Sequence, residues 1–291
     1  NVWDVDGNEY VDLVCGLLPV ILGYCDLDID YAIREQLNRG ISFSLATSLE
    51  LKLGKKLNFM QIKKAIILSA GYGKRLNPMT LSKPKSLLEI NKKTLLENTI
   101  HILEKFGIEE IVINTHYLSD QINTFIDNKK FSSKIFLMEE HEKILDTGGG
   151  VLNAAKKFNN DPFFVFNPDT IWSQSYLDDF KAMEEQYFNN DYKGVLLVVD
   201  KTKSFDKTMK GDFNLKENIL DRNVNEKRYI YTGSQILSNS VFKNKKIEPF
   251  SMNLIWDLLI KNKELLGVKS KQEFLHVTNL KIYNQLIEKK F

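Results

Sequence analysis

From Lys64 onward the chain alternates short apolar runs with amphipathic stretches, and this alternation constrains the fold more than any other feature. KAIILS (64–69) is a compact apolar run of the kind that forms a strand buried on both faces. Residues 94–106 read as a helix, with Thr94 as N-cap and Gly107 as its stop. Further strands are expected at 111–114, 135–138, 163–166 and 194–199, with helices at 119–127, 151–158 and 176–187 between them. Strand–helix alternation at this spacing predicts an α/β fold: a mostly parallel, mixed sheet covered by helices on both faces, three layers in all. Beyond about residue 200 the pattern loosens, with strands expected near 212–215 and 229–237 and helices near 251–261 and 279–288.

The first sixty residues are of another kind. NVWDVDGNEYVDL (1–13) alternates around Asp6-Gly7 and reads as strand–turn–strand. A short helix is expected at 27–39 and another at 49–57, with a loop-like GISFSLATS between them. The reading is therefore a small N-terminal appendage, 1–59, followed by a larger domain, 60–291. A net charge of +2 with acidic and basic residues interspersed argues for neither a nucleic-acid partner nor a membrane partner. No apolar run approaches the roughly 18 residues of a membrane helix. Two cysteines, Cys15 and Cys25, make no disulfide framework, which favours a reducing, cytoplasmic setting.

In open α/β sheets ligands collect at the carboxyl ends of strands. The first strand ends in SAGYGKRLNPMTLSKPKS (69–86). Gly71 and Gly73 permit a tight turn and close backbone approach to a ligand, and successive amides in such a loop cradle phosphate oxygens. Arg75 and Lys85 add positive charge. The loop thus reads as a triphosphate grip. It is not a dinucleotide fingerprint, which needs a third glycine where Leu76 stands. Nor is it a P-loop, which needs glycine at Leu68 and Ser or Thr where Arg75 stands. Asp169, after the 163–166 strand, reads either as a metal ligand or as a turn-capping aspartate. Gly148 and Gly149 precede a helix, a place that binds anions. Asn114 ends its strand and either faces the pocket or caps the strand end. Glu97 and Asp146 are contact residues or surface and capping residues.

Residues 65–89 resemble the signature of the nucleotide-diphospho-sugar transferase family: a small-residue strand end, G-x-G-x-R, then Pro84-Lys85. The likeness continues through LDTGGG (145–150), NPD (167–169), GDF (211–213) and YTGSQIL (231–237). It is nearest to N-acetylmuramate-1-phosphate uridylyltransferases and mannose-1-phosphate guanylyltransferase-type enzymes. The resemblance implies the three-layer, Rossmann-like nucleotidyltransferase fold and a reaction of NTP, UTP or GTP foremost, with a sugar-1-phosphate; choline phosphate is another acceptor in this fold. It implies that Ala70, Gly71, Gly73, Arg75, Gly148, Gly149 and Asn167 bind nucleotide, that Arg75, Lys85 and Asp169 are catalytic, and that Asp169 binds Mg²⁺. The chain departs from the family at three places. His276 stands where relatives carry a second metal carboxylate, and imidazole is a poor Mg²⁺ ligand. Ser86 replaces a proline, and Pro168 a glycine or serine. A nucleotide-binding module without catalysis is the alternative that His276 raises. Residues 1–57 resemble instead the N-terminal part of class III pyridoxal-phosphate aminotransferases. The cofactor-bearing lysine domain of that class is absent, so this piece is expected to bind no cofactor and to hold a marginal core.

Overall fold

The computed structural model describes residues 2–3, 6–10, 26–38, 61–190, 192–222, 226–243 and 245–289. The chain divides into two compact units, Asn1–Phe59 and Met60–Phe291. In the first, β1 (Val2–Trp3) pairs antiparallel with β2 (Glu9–Tyr10) across a turn containing Gly7 at φ +83°, as the Asp-Gly pair predicts. Helix α1 (Leu27–Leu37) is capped by the Asp26 carboxylate, which accepts the amides of Asp28 and Ile29. The helix expected at 49–57, the loop before it and both cysteines lie outside the described residues.

The second unit begins with β3 (Lys64–Leu68). There follow a small hairpin, β4 (Glu89–Ile90) and β5 (Lys93–Thr94), then α2 (Leu95–Phe106), β6 (Glu110–Thr115), α3 (Ser119–Asp127) and β7 (Lys134–Glu139). Next come α4 (Asp146–Ala155), β8 (Phe163–Phe166), α5 (Tyr176–Asn189), β9 (Gly194–Asp200), β10 (Asn214–Lys216) and β11 (Ile219–Asp221). The unit closes with β12 (Tyr229–Leu237), α6 (Asn253–Lys261), β13 (Leu265–Ser270) and α7 (Leu280–Glu288). Nine strands form one sheet in the order β10-β11-β13-β9-β12-β8-β3-β6-β7. Strands β7, β6, β3 and β8 run parallel, β12 runs antiparallel between β8 and β9, and β13 pairs parallel with β9. The mixed sheet is the one the alternation predicts, and parallel pairing extends beyond the strand–helix half of the chain to β13.

Alternation within the strands distributes the core over both faces. Ala65, Ile67, Ile111, Ile113, Phe164 and Phe166 meet Leu96, Ile100 and Leu103 of α2, Ile122 of α3, and Phe180 and Met183 of α5. Ile66, Val112, Phe163 and Val165 meet Val151 and Ala154 of α4 and Ile255 and Leu259 of α6 on the other face. Thr94 caps α2 by accepting the Glu97 amide, and Gly107 ends it in the left-handed region at φ +98°.

Helix α4 starts five residues before the expected 151. Gly148, Gly149 and Gly150 lie inside it and are buried. Glycine disfavours a helix interior, but here the neighbouring chain demands it. A Cβ on Gly149 would lie 2.2 Å from the Glu248 carbonyl oxygen, and one on Gly148 2.3 Å from the Phe250 ring. Sequence reading also passed over β11 and β13. In β13, Gly267 interrupts the apolar run because a Cβ there would meet Leu215 at 2.6 Å.

One buried carboxyl makes stability depend on pH. Glu184 of α5 is 9% exposed and accepts the Ile62 amide at 2.6 Å. Burial pushes its pKa from the ordinary 4.5 up to about 7, against the opposing pull of the Ile62 N–H and Lys63. The folded state therefore favours the protonated form, a stabilisation complete below 4.5 and lost as pH rises through about 7. Glu184→Gln removes this dependence. Its unfolding free energy relative to wild type rises by on the order of 2–3 kcal/mol between about pH 5 and about pH 8. Urea melts at the two pH values check it; a difference that does not change with pH rules it out.

Candidate active site

Strand β3 delivers the glycine loop to the carboxyl edge of the sheet. Gly73 sits at φ +64°, and a Cβ on it would press on Lys85 and Thr80, each at 3.0 Å. Gly71 has no such strain: a Cβ there would meet nothing within 4 Å, so this glycine leaves the cleft open rather than making the turn. Thr80 Oγ1 donates to the Gly73 carbonyl at 2.9 Å. Ser69 donates its hydroxyl to that of Ser86 at 2.6 Å. Ser86 thus ties the two ends of the loop together with a hydrogen bond that proline could not make.

The loop lines a cleft of about 390 Å³. Ala70, Gly71, Gly73 and Arg75 form one wall, Lys85 and Ser86 follow, and Asn167, Pro168 and Asp169 come from the end of β8. Asn114, Ile144, Asp146 and Thr147 complete the lining. The structure therefore gathers Arg75, Lys85 and Asp169 around a single cavity. It does not bring Gly148 and Gly149 to the lining. Their amides donate to the Phe250 carbonyl at 2.8 and 3.2 Å, so these N–H groups are already used. The anion reading of those two glycines is replaced by close packing, and Thr147 faces the cleft instead. Glu97 lies away from the cleft and pairs with Lys129 at 2.6 Å. Asp146 lines the cleft, at φ +57°.

Asp169 is the electrostatic centre of the cleft. Lys85 Nζ donates to its Oδ2 at 2.6 Å, and His276 Nε2 lies 3.2 Å from Oδ1. His276 is delivered by a strand-like pairing: Thr170 bridges antiparallel to His276, Ile171 N–H donates to the Leu275 carbonyl, and Val277 N–H donates to the Asp169 carbonyl. Burial alone would push the Asp169 carboxyl up. The charges of Lys85 and His276, and the hydrogen bond from Lys85, hold it well below the usual carboxylate range. His276 Nε2 is within ion-pair distance but off hydrogen-bond alignment, so Oδ1 is buried without a hydrogen-bond partner. His276 Nδ1 and the Tyr231 hydroxyl are likewise buried and unpartnered. Tyr231 belongs to the YTGSQIL run, but nothing in its spacing marks the hydroxyl. Gly233 in that run sits at φ +95°, where a Cβ would meet Asn167 Cβ at 2.9 Å, and its carbonyl accepts the Asn167 amide at 2.8 Å.

Against known proteins, residues 64–206 match the sequence model of the family described as nucleotidyl transferase. That match covers just under half of the chain. N-acetylmuramate alpha-1-phosphate uridylyltransferase of Caulobacter vibrioides is 27% identical over 221 residues, covering 74% of this chain and 91% of that protein. Mannose-1-phosphate guanylyltransferase catalytic subunit beta of Xenopus tropicalis is 36% identical over 111 residues, 37% of this chain. The match spans 31% of that guanylyltransferase, so the likeness there is partial. Among solved structures, HddC from Yersinia pseudotuberculosis complexed with GMP-PN superposes with a TM-score of 0.63 at 25% identity, covering 78% of this chain and 99% of HddC. The inositol-1-phosphate CTP transferase of T. maritima, at 16% identity and a TM-score of 0.65 over 78% of this chain and 96% of its own, shares the fold. The relatives that this chain resembles thus include sugar-1-phosphate uridylyl- and guanylyltransferases.

Proposed function

We propose that Met60–Phe291 transfers a nucleotidyl group from an NTP to a sugar-1-phosphate. An oxygen of the sugar phosphate attacks the α-phosphorus in line, the bond from the α-phosphorus to the bridging oxygen of the β-phosphate breaks, and pyrophosphate leaves with that oxygen. The reading is carried by the convergence of Arg75, Lys85 and Asp169 on the glycine-loop cleft. Such a transfer requires little covalent help; positioning and neutralisation of phosphate charge dominate. The amides of Ala70, Gly71 and Gly73 hold the phosphates, Arg75 clamps them, and Lys85, anchored by Asp169, faces the reacting α-phosphate. Asn167, stapled to Gly233, places Asp169.

Mg²⁺ takes one or two carboxylates, substrate phosphates and waters. Asp169 fits that requirement through Oδ1, a buried oxygen without a hydrogen-bond partner. Among the described residues no group of three or more His, Cys, Asp or Glu is poised to hold a metal, and His276 offers nitrogen. Asp169 would therefore hold the ion together with nucleotide phosphates and water, and bound Mg²⁺ would offset phosphate charge during the transfer.

The uridylyl and guanylyl relatives favour UTP or GTP, and a product serving cell-wall or surface-polysaccharide synthesis in the cytoplasm. No helix among the described residues is long and apolar enough to cross a membrane. Four NTPs screened against a panel of sugar-1-phosphates and choline phosphate, with pyrophosphate detection, test the proposal. Release with UTP or GTP is expected; no release with any pair, together with no NTP binding, refutes it. The pairing of Asp169 with Lys85 and His276 favours a second reading, a nucleotide-binding module without catalysis. That reading predicts tight NTP binding and no turnover. Residues 1–59 are proposed as an aminotransferase-like fragment that carries no cofactor; an aldimine absorption band in the purified protein would refute this.

A further inference from the structure

Glu140 follows directly on β7 and is 4% exposed. Its backbone is fixed by its amide, which donates to the Thr115 carbonyl at 2.8 Å. Its side chain spans two segments of the cleft. Oε1 accepts from Asn114 Nδ2 at 2.7 Å, and Oε2 accepts from the Leu145 amide at 2.7 Å. Asn114 in turn accepts the Ser69 amide on Oδ1 at 2.8 Å. Ser69 opens the glycine loop, and Leu145 immediately precedes Asp146 and Thr147 of the cleft lining.

The polarity of this chain is set by Glu140, whose carboxylate only accepts and so draws the Asn114 NH₂ toward it. That leaves Asn114 Oδ1 toward the Ser69 N–H, which it accepts at 2.8 Å while the Asn114 backbone carbonyl accepts the same N–H at 3.2 Å. The Leu145 N–H requires a second acceptor on the other side. A carboxylate, which accepts on both oxygens, satisfies both; a primary amide presents one donor and leaves one N–H opposed. Helix α4 closes over the pair because Gly150 has no side chain. A Cβ there would lie 2.7 Å from Asn114 Nδ2 and 3.0 Å from Glu140 Oε1. Both polar ends of Asn114 bond within the protein, so this cleft residue braces the site.

We infer that Glu140 is a positioning residue that holds the glycine loop and the 144–147 segment at a fixed spacing for the nucleotide. The inference rests on the reading of the cleft as an NTP site. It applies to a residue that touches no substrate. Leaving one buried N–H opposed weakens the brace, and a tenfold change in affinity corresponds to about 1.4 kcal/mol.

The test is Glu140→Gln alone and paired with Asn114→Asp. In the pair the polarity is reversed but complete: Ser69 N–H to Asp Oδ1, Gln Nε2 to Asp Oδ2, and Leu145 N–H to Gln Oε1. The single variant raises KM and Kd for the NTP about tenfold, with kcat and the sugar-phosphate KM within about twofold of wild type. The paired variant recovers most of that loss. Amide hydrogen exchange on the nucleotide-free protein reads the brace directly: Glu140→Gln speeds exchange in 69–73 and 144–147, and the pair slows it again. An E140Q protein with unchanged NTP affinity and exchange overturns the inference, as does a paired variant no better than the single one. If the single variant does not fold, the pair carries the test: it folds and binds NTP within about threefold of wild type, or the inference is wrong. Wild-type protein that binds no NTP refutes the nucleotide reading, while the exchange data still judge the brace.

Discussion

Asp169→Asn lowers pyrophosphate release by about 10³-fold, the scale seen when one preorganised charge is removed from a transition-state site. The carboxylate accepts Lys85 Nζ at 2.6 Å and has His276 Nε2 3.2 Å away, so it sets where the lysine points. Burial works against its charge, yet Lys85 and His276 hold the carboxyl well below the usual range. The charged form is thus locked in before any substrate arrives. The amide keeps the shape and one acceptor but loses the charge that anchors Lys85 and the oxygen assigned to Mg²⁺. Lys85→Met falls by a similar factor. Because the two act as a unit, the double variant costs little beyond either single change. Steady-state pyrophosphate assays on folded variants decide the matter; an Asp169→Asn enzyme within tenfold of wild type would sink the assignment.

Phe180→Ala costs about 3–5 kcal/mol of unfolding free energy. Phe180 is fully buried, with ring centroids 5.1 Å from Phe166, 5.6 Å from Phe106 and 5.6 Å from Trp172. Edge-to-face pairs of this kind add to the area that burial removes from water. The cluster also supports the site: Phe166 immediately precedes Asn167, and Trp172 Nε1 donates to the Asn167 carbonyl at 3.2 Å. Leu258→Ala on α6 is the control. That side chain is 49% exposed, and its loss costs less than about 1 kcal/mol. Equilibrium denaturation of the two variants measures the contrast, and a Phe180→Ala cost near that of the control contradicts the packing argument.

Local chemistry was readable where one segment contained its own explanation. KAIILS is apolar on both faces because the strand is covered on both faces, and Thr94 and Gly107 mark the ends of α2 by capping rules that act within a few residues. The loop carries its proposed role in its own order, since glycines and cations lie close together in the chain there. Other features depend on partners distant in sequence. Gly148 and Gly149 read as an anion-binding helix start until residues 248–250 are packed against them. Strand β13 is interrupted by Gly267 and is recognisable only beside β9 and β11. Glu140 is one acidic residue among several until Asn114 and the Leu145 amide meet its two oxygens. A residue's neighbours along the chain dictated strands, caps and the glycine loop, because those forces act over one turn. Which strand neighbours which, which glycines are crowded and which carboxylate braces the cleft were settled by contacts between segments far apart in sequence, where packing and hydrogen-bond satisfaction outweigh local preference.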